Sequence, residues 1–205
     1  MIYKILSASL LVLSTSSYAA SFDCAKAKSN NEKIICSNES ISKMDDDLSQ
    51  NYKELISLYK DTKAIKTWQK DWLISLKNQC KDAKCLEDSY KNRIKEIKSA
   101  LKADEITKSW TGSYVEKNNQ STPNKIILIG LDGGRVYVKG SAIYNQNVGE
   151  IDGYGKLTNS KLKEIEESEL CGATFQTKQD GSLIVENESG CGGLNVTFNG
   201  VYKRQ

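Results

Sequence analysis

The 205-residue chain has no histidine. That absence removes the commonest general base, the commonest zinc ligand and every Ser–His or Cys–His nucleophile pair. Proline occurs once, at Pro123, and none of the fourteen glycines precedes Gly112. Turn-makers confined to one half mark a change of architecture where they begin. The change falls near 103–109, where helical periodicity ends and Trp110-Thr111-Gly112-Ser113-Tyr114 begins. Long apolar runs are missing as well: Ile5–Leu13 falls short of the roughly 20 residues a membrane-spanning helix needs. No membrane span is expected. Nor is there a surplus of one charge, with 29 basic against 26 acidic residues. Without a strong basic field, neither nucleic acid nor anionic lipid is an expected partner.

The N-terminus supplies the first positive signal. Lys4, the apolar run Ile5–Leu13 and the small residues of Ser17-Tyr18-Ala19 read as a secretion signal over 1–19. The mature chain is then expected to begin near Ala20 and to be periplasmic or secreted. Six cysteines in an exported chain of this size favour three disulfides. A four-cysteine zinc site on Cys24, Cys36, Cys80 and Cys85 is the rival reading. Its ligand pairs normally lie two to four residues apart, and Cys24 is far from Cys36 on that scale. Disulfides are therefore expected, with no metal and no cofactor.

Before the glycines, the pattern is helical. Ile41, Met44, Leu48, Tyr52, Leu55 and Tyr59 line one face at steps of three and four. Ser40 or a neighbour is placed to cap that helix. Ile65, Trp68, Trp72, Leu76 and Cys80 form a second stripe, and Leu86, Tyr90, Ile94, Ile97 and Leu101 a third, with a short helix over 31–36 ahead of them. Three stripes with short connections predict an up-down-up bundle whose faces bury one another. Local pairing (Cys24–Cys36, Cys80–Cys85) contributes about 2–3 kcal/mol per bond and long-range pairing (Cys24–Cys80, Cys36–Cys85) about 4. These values are too close to choose between. Cys80 ends one stripe and Cys85 opens the next, which favours the local alternative.

After Gly112 the pattern is antiparallel strand. Lys125–Leu131 and Arg135–Lys139 flank Asp132-Gly133-Gly134, and Ala173–Lys178 and Ser182–Glu186 flank Gln179-Asp180-Gly181. Cys171 and Cys191 bracket the second hairpin almost symmetrically, which predicts their disulfide. Leu194, Val196 and Phe198 alternate as a last strand would. The ends Trp110-x-Gly112-x-Tyr114 and Phe198-x-Gly200-x-Tyr202 match, as strands closing a small barrel do. The expected fold is α+β in two domains. These are an N-terminal disulfide-stapled helical bundle over 22–103 and a C-terminal small antiparallel β barrel or sandwich over 109–205.

The first half carries an ordered set: Phe22-Asp23-Cys24-Ala25-Lys26-Ala27, Glu32-Lys33-Ile34-Ile35-Cys36, Asp45, Leu48, Tyr52, Gln69, Trp72, Leu73, Cys80, Cys85, Tyr90, Arg93 and Ile94. This set resembles the LprI N-terminal-like family, envelope modules named after a mycobacterial lysozyme inhibitor. It spans about 75 residues. Where the family often has an arginine one turn after the tryptophan, this chain has Leu76, followed by Lys77. The resemblance implies a protein that binds and blocks lysozyme or another peptidoglycan hydrolase. The second half resembles no named family.

Asp45, Tyr52, Gln69, Trp72, Tyr90 and Arg93 read first as packing residues on inward faces, with Asp45 and Arg93 pairing between helices. Trp68 and Trp72 fall on the apolar stripe and are expected in the core rather than on a glycan platform. Asp45-Asp46-Asp47 points its carboxylates around a helix, which suits favourable charge near an N-terminus better than a metal. Glu164, Glu166, Glu167 and Glu169 form the one dense acidic run and are candidates to steer a cationic partner. Lys139, Ser141 and Tyr144 resemble the Ser/Tyr loop that some other lysozyme inhibitors insert into the enzyme, where a hydroxyl or ammonium meets two catalytic carboxylates. Two further readings compete. One is an envelope interaction or immunity protein directed at another cell-wall enzyme or toxin. The other is a hydrolase using Glu150 and Asp152, which nothing in their spacing supports.

Overall fold

Short polar residues set where the helices start. In the computed structural model, which describes residues 20–117, 123–166 and 171–205 (without the side chains of 164–166), α1 (Asn30–Ser37) opens with a capping box. The Ser29 hydroxyl accepts from the Glu32 amide at 3.2 Å, and the Glu32 carboxylate accepts from the Ser29 amide at 2.7 Å. Asn38, not Ser40, caps α2 (Glu39–Ser57), because it is the last extended residue before the helix. After α3 (Lys63–Gln79), Asp82 caps α4 (Ala83–Leu101). The boundary stretch near 103–109 holds one more short helix, α5 (Glu105–Ser109), whose first turn Asp104 caps through the Thr107 amide. The secretion signal expected over 1–19 lies outside the described residues. No helix among those described is long and apolar enough to cross a membrane.

Eight strands follow: β1 (Gly112–Glu116), β2 (Lys125–Gly130), β3 (Arg135–Tyr144), β4 (Asn147–Thr158), β5 (Lys161–Glu166), β6 (Gly172–Thr177), β7 (Leu183–Ser189) and β8 (Gly200–Arg204). Each pairs antiparallel with the next, and β8 returns to β1 with Tyr114 opposite Arg204 and Glu116 opposite Tyr202, closing the barrel. Gly133 and Gly134 at φ 66° and 73° turn β2 into β3, a conformation that costs glycine little. Tyr114 and Tyr202 are buried at the closure and donate to the Trp110 and Phe198 carbonyls. The last strand begins later than the alternation of Leu194, Val196 and Phe198 suggested, although its end at Tyr202 does close on β1. Residues 194–199 are irregular, with Asn195 at φ 62°, while Val196 and Phe198 are buried against the barrel interior. Their alternation reflects a plug at the barrel end, and Gly200–Arg204 supplies the strand.

Disulfides join Cys24 to Cys36, Cys80 to Cys85 and Cys171 to Cys191. Cys80 caps the end of α3 and Cys85 lies in the first turn of α4, so that bond spans one helix-to-helix turn.

The helices do not bury only one another. α2 and α4 pack along each other, but α3 lies with its backbone against β1 and β2. Ile65, Trp68 and Leu76 of α3 share one apolar cluster with Leu48, Leu86 and Ile97 and with Ile127, Ile129, Leu131 and Tyr137 of the barrel wall. A helical half of this size encloses a thin core, and the outer face of β2 and β3 supplies the surface it lacks. At Gly130 the fit is closest: a Cβ there would lie 2.3 Å from the Thr107 carbonyl oxygen.

Candidate functional site

Period-two alternation sorts the side chains of β3. Val136, Val138 and Ala142 are buried in the barrel, while Tyr137, Lys139, Ser141 and Ile143 point outward. The register arranges these outward residues in rows across three strands. Tyr137 lies between Ile129 and Tyr154, Lys139 between Ile127 and Asp152, and Ser141 between Lys125 and Glu150, while Ile143 faces Val148. Down these rows the face passes from buried seam to charged bridge, to open cleft, to exposed apolar tip.

In the first row the helices cover the wall. Arg93 of α4, only 1% exposed, lies over the Trp68 ring at 3.7 Å. Its Nε donates to Gln69 at 3.0 Å and its Nη1 to Glu96 at 2.9 Å. Glu96 accepts in turn from the Tyr154 hydroxyl at 2.7 Å, tying the helix to the barrel. Burial lowers the Arg93 pKa, and Glu96 opposes that shift. Burial raises the Tyr137 phenol well above its ordinary value, and the Asp152 charge adds to the rise. In the second row Lys139 reaches Asp71 of α3 at 3.2 Å and Asp152 at 3.7 Å. The third row floors a cleft of about 480 Å³ between α3 and the wall, whose lining includes Lys63, Thr67, Lys125, Ser141 and Glu150.

The fourth row belongs to a protruding hairpin. β2 stops pairing with β3 at Lys125–Ser141, so residues 142–149 extend past it. Seven residues separate Tyr137 from Tyr144, about 23 Å of strand, which carries the tip clear of the helices. The tip is stiffened from the side. Gly149 bridges Gly192, the Glu150 amide donates to the Cys191 carbonyl at 3.1 Å, and the Asn147 side chain donates to the Leu194 carbonyl at 2.8 Å. A Cβ on Gly149 would lie 2.9 Å from the Gly192 Cα, so this contact needs glycine. Cys171–Cys191 anchors the buttressing segment. Ile143, Tyr144, Val148 and Leu194 are 43%, 50%, 54% and 77% exposed. They are four of the nine large apolar side chains exposed among the described residues.

The residues singled out in the sequence are distributed unequally over this geometry. Lys139, Ser141 and Tyr144 share β3. They form a ladder-bound strand rather than an insertion loop, because ten residues pair with β4 from Arg135 to Tyr144. Only Tyr144 reaches the tip, and Lys139 is held between two carboxylates. Glu164 and Glu166 lie in β5, while Glu167 and Glu169 fall outside the described residues. Glu150 and Asp152 stand side by side on one strand face, whereas carboxylates that cleave a glycosidic bond flank it from opposite sides.

Asp45, Tyr52, Gln69, Trp72, Tyr90 and Arg93 lie on inward faces, whereas the motif residue Leu73 is exposed, and Asp45 does not pair with Arg93. Asp45 accepts from the Tyr90 hydroxyl at 2.8 Å and from the Ser21 amide and hydroxyl at 2.7 and 2.6 Å. It thereby fixes the start of the described chain to α2 and α4. Burial, then the Asp45 charge, raises the Tyr90 phenol far above its ordinary value. Trp72 packs edge-on to Tyr90 at 5.3 Å and donates to Ser89 at 3.2 Å. Trp68 is buried, and Tyr52 and Gln69 are half-buried. Asp46 and Asp47 bond Gln50 and Asn51 one turn on, and Lys98 pairs with Asp47 at 2.9 Å. No cluster suited to a metal ion occurs among the described residues.

The tip residues Ile143, Val148 and Leu194 and the cleft residues Lys63 and Lys125 were not among the sequence candidates. A signal for the tip exists: Ile143-Tyr144 runs straight into Asn145-Gln146-Asn147, an apolar pair set against a turn. No protein-family model, curated protein or solved structure matches the chain.

Proposed function

We propose that this chain is an exported, non-catalytic binding protein that inhibits lysozyme-type peptidoglycan hydrolases by seating the β3–β4 tip in their substrate cleft. The observation that carries the reading is the tip itself. It is a laterally braced hairpin on which Ile143 and Val148 share one face and Tyr144 and Leu194 are exposed beside them, while the opposite end of the same strands is buried under helices. Clustered exposed apolar surface marks interaction sites, and a rigid projection loses little conformational freedom on binding. A hydrolase of this class offers a cleft with two carboxylates. The Tyr144 hydroxyl is placed to donate to one of them while Ile143, Val148 and Leu194 displace water from the walls.

The test is the rate of peptidoglycan lysis by several lysozyme classes as oxidised mature protein is added. Saturable inhibition with a stoichiometric endpoint is expected for at least one class. Val148→Asp and Tyr144→Ala should each weaken it about tenfold or more, the effect of losing a central interface side chain, with the thermal midpoint unchanged. Undiminished lysis of every class at micromolar protein would sink the proposal.

A further inference from the structure

The tip does not use the cleft between α3 and the barrel wall. At about 480 Å³ the cleft is within the range of small-molecule sites, and it lies on the seam between two structural units, where such sites concentrate. Its floor is a closed barrel wall, fixed by the ladders that join β2, β3 and β4. Three lysines (Lys63, Lys125, Lys139) and three carboxylates (Asp71, Glu150, Asp152) line it. Counted by side chain, the lining carries as many positive as negative charges. What it offers is separated charge of both signs.

The separation is set by the register. Lys139 is already engaged by Asp71 and Asp152, which closes one end. At the other end Lys125 and Glu150 stand on either side of Ser141, and neither has a charged partner among the described residues. Two ladder spacings place their backbones about 10 Å apart. An extended chain of three residues spans at most about 10 Å, so the ends of a di- or tripeptide match the reach of the two side chains. The Ser141 hydroxyl lies between them, and the hydroxyls of Thr67 and Ser113 also line the cleft, suited to peptide groups.

We propose that the seam cleft binds a short zwitterionic peptide, with its terminal carboxylate on Lys125 and its terminal ammonium on Glu150. The site is separate from the hairpin tip, and neither proposal requires the other.

The probe is trialanine, titrated into oxidised, isotope-labelled mature protein while amide shifts are followed. Saturable shifts confined to the residues around Lys125, Ser141 and Glu150 are expected. N-acetyl-trialanine and trialanine amide should each bind at least tenfold more weakly. Lys125→Ala should bind the acid and the amide equally, and Glu150→Ala should bind the acetylated and free peptides equally. Both side chains are exposed, so these variants keep the fold, which the unchanged remainder of the spectrum would show. No saturable shift at these strands, or equal binding of blocked and free peptides to the unaltered protein, would overturn the assignment.

Discussion

Every residue of the barrel's interior cluster lies between Trp110 and Tyr202, whereas the helical cluster runs on through Ile127, Ile129, Leu131 and Tyr137 of the barrel wall. One half encloses its own core; the other borrows part of its core from its neighbour. The borrowed surface lies on β2 and on the inner end of β3, whose outer end forms part of the tip, so the helices brace the root of a projecting hairpin. Two of the three disulfides lie in the helical half, where a thin core benefits most from covalent closure.

Adjacent residues of β2 break this comparison most directly. Leu128 points into the barrel and Ile129 into the helical cluster, and both are essentially unexposed. Truncating either to alanine should cost about 2–5 kcal/mol, but the consequences should differ. Leu128→Ala should speed amide exchange in the barrel and in the helices that rest on it. Ile129→Ala should speed exchange in α2, α3 and α4 while the strands stay protected. Equal loss of protection in both halves of Ile129→Ala would mean that the two cores are one cooperative unit.

Why the helices needed the barrel was partly legible in β2. Ile126-Ile127-Leu128-Ile129 is a continuous apolar run rather than an alternating one, and a strand of that kind is buried on both faces. The hairpin turns and matching ends were readable because aspartate–glycine turns and aromatic–glycine spacings act locally. The mistaken pairing of Asp45 with Arg93 has the opposite origin. Both positions were correctly inward, but which polar groups meet depends on how α3 and the chain start are docked, and Ser21, Gln69 and Glu96 become the partners. The start of the last strand was misplaced for a similar reason. Val196 and Phe198 alternate as buried residues whether they sit in a ladder or plug a barrel end. Of the tip only Tyr144 was singled out, because exposed apolar residues such as Val148 and Leu194 look like core residues until the register shows which strand outruns its neighbour.

Removing the disulfides one at a time should sharpen the contrast between the halves. On loop length alone, Cys171–Cys191 with a separation of 20 residues and Cys24–Cys36 with 12 contribute about 3 kcal/mol each, and Cys80–Cys85 with 5 about 2 kcal/mol. Denaturant midpoints of paired Cys→Ser variants should follow that order. Their effects on the tip should not. Only loss of Cys171–Cys191 frees the segment that buttresses Gly149, so only that variant should weaken lysozyme inhibition beyond its effect on stability. Equal loss of inhibition on removing Cys80–Cys85 would show that the tip depends on the helices more than on its own brace.

The smallest effect separates the halves by pH. Tyr90 in the helices and Tyr202 at the barrel closure both hold their protons well above the ordinary tyrosine value of 10.0, chiefly through burial. The unfolded chain therefore gives up these protons first, and the stability they represent is present below pH 10 and lost as pH rises beyond it. Tyr90→Phe removes one part of the helical share, to which the partly buried phenols of Tyr52 and Tyr59 also contribute. Asp45 keeps its two bonds from Ser21, so the cost at neutral pH should be about 1 kcal/mol. The thermal midpoint of the variant should then fall less steeply above pH 10 than that of the unaltered protein, while Tyr202→Phe should spare the barrel alone. If Tyr90→Phe left the alkaline slope unchanged, the helices would have melted before Tyr90 could titrate, and the barrel would be the only half whose stability reports on pH.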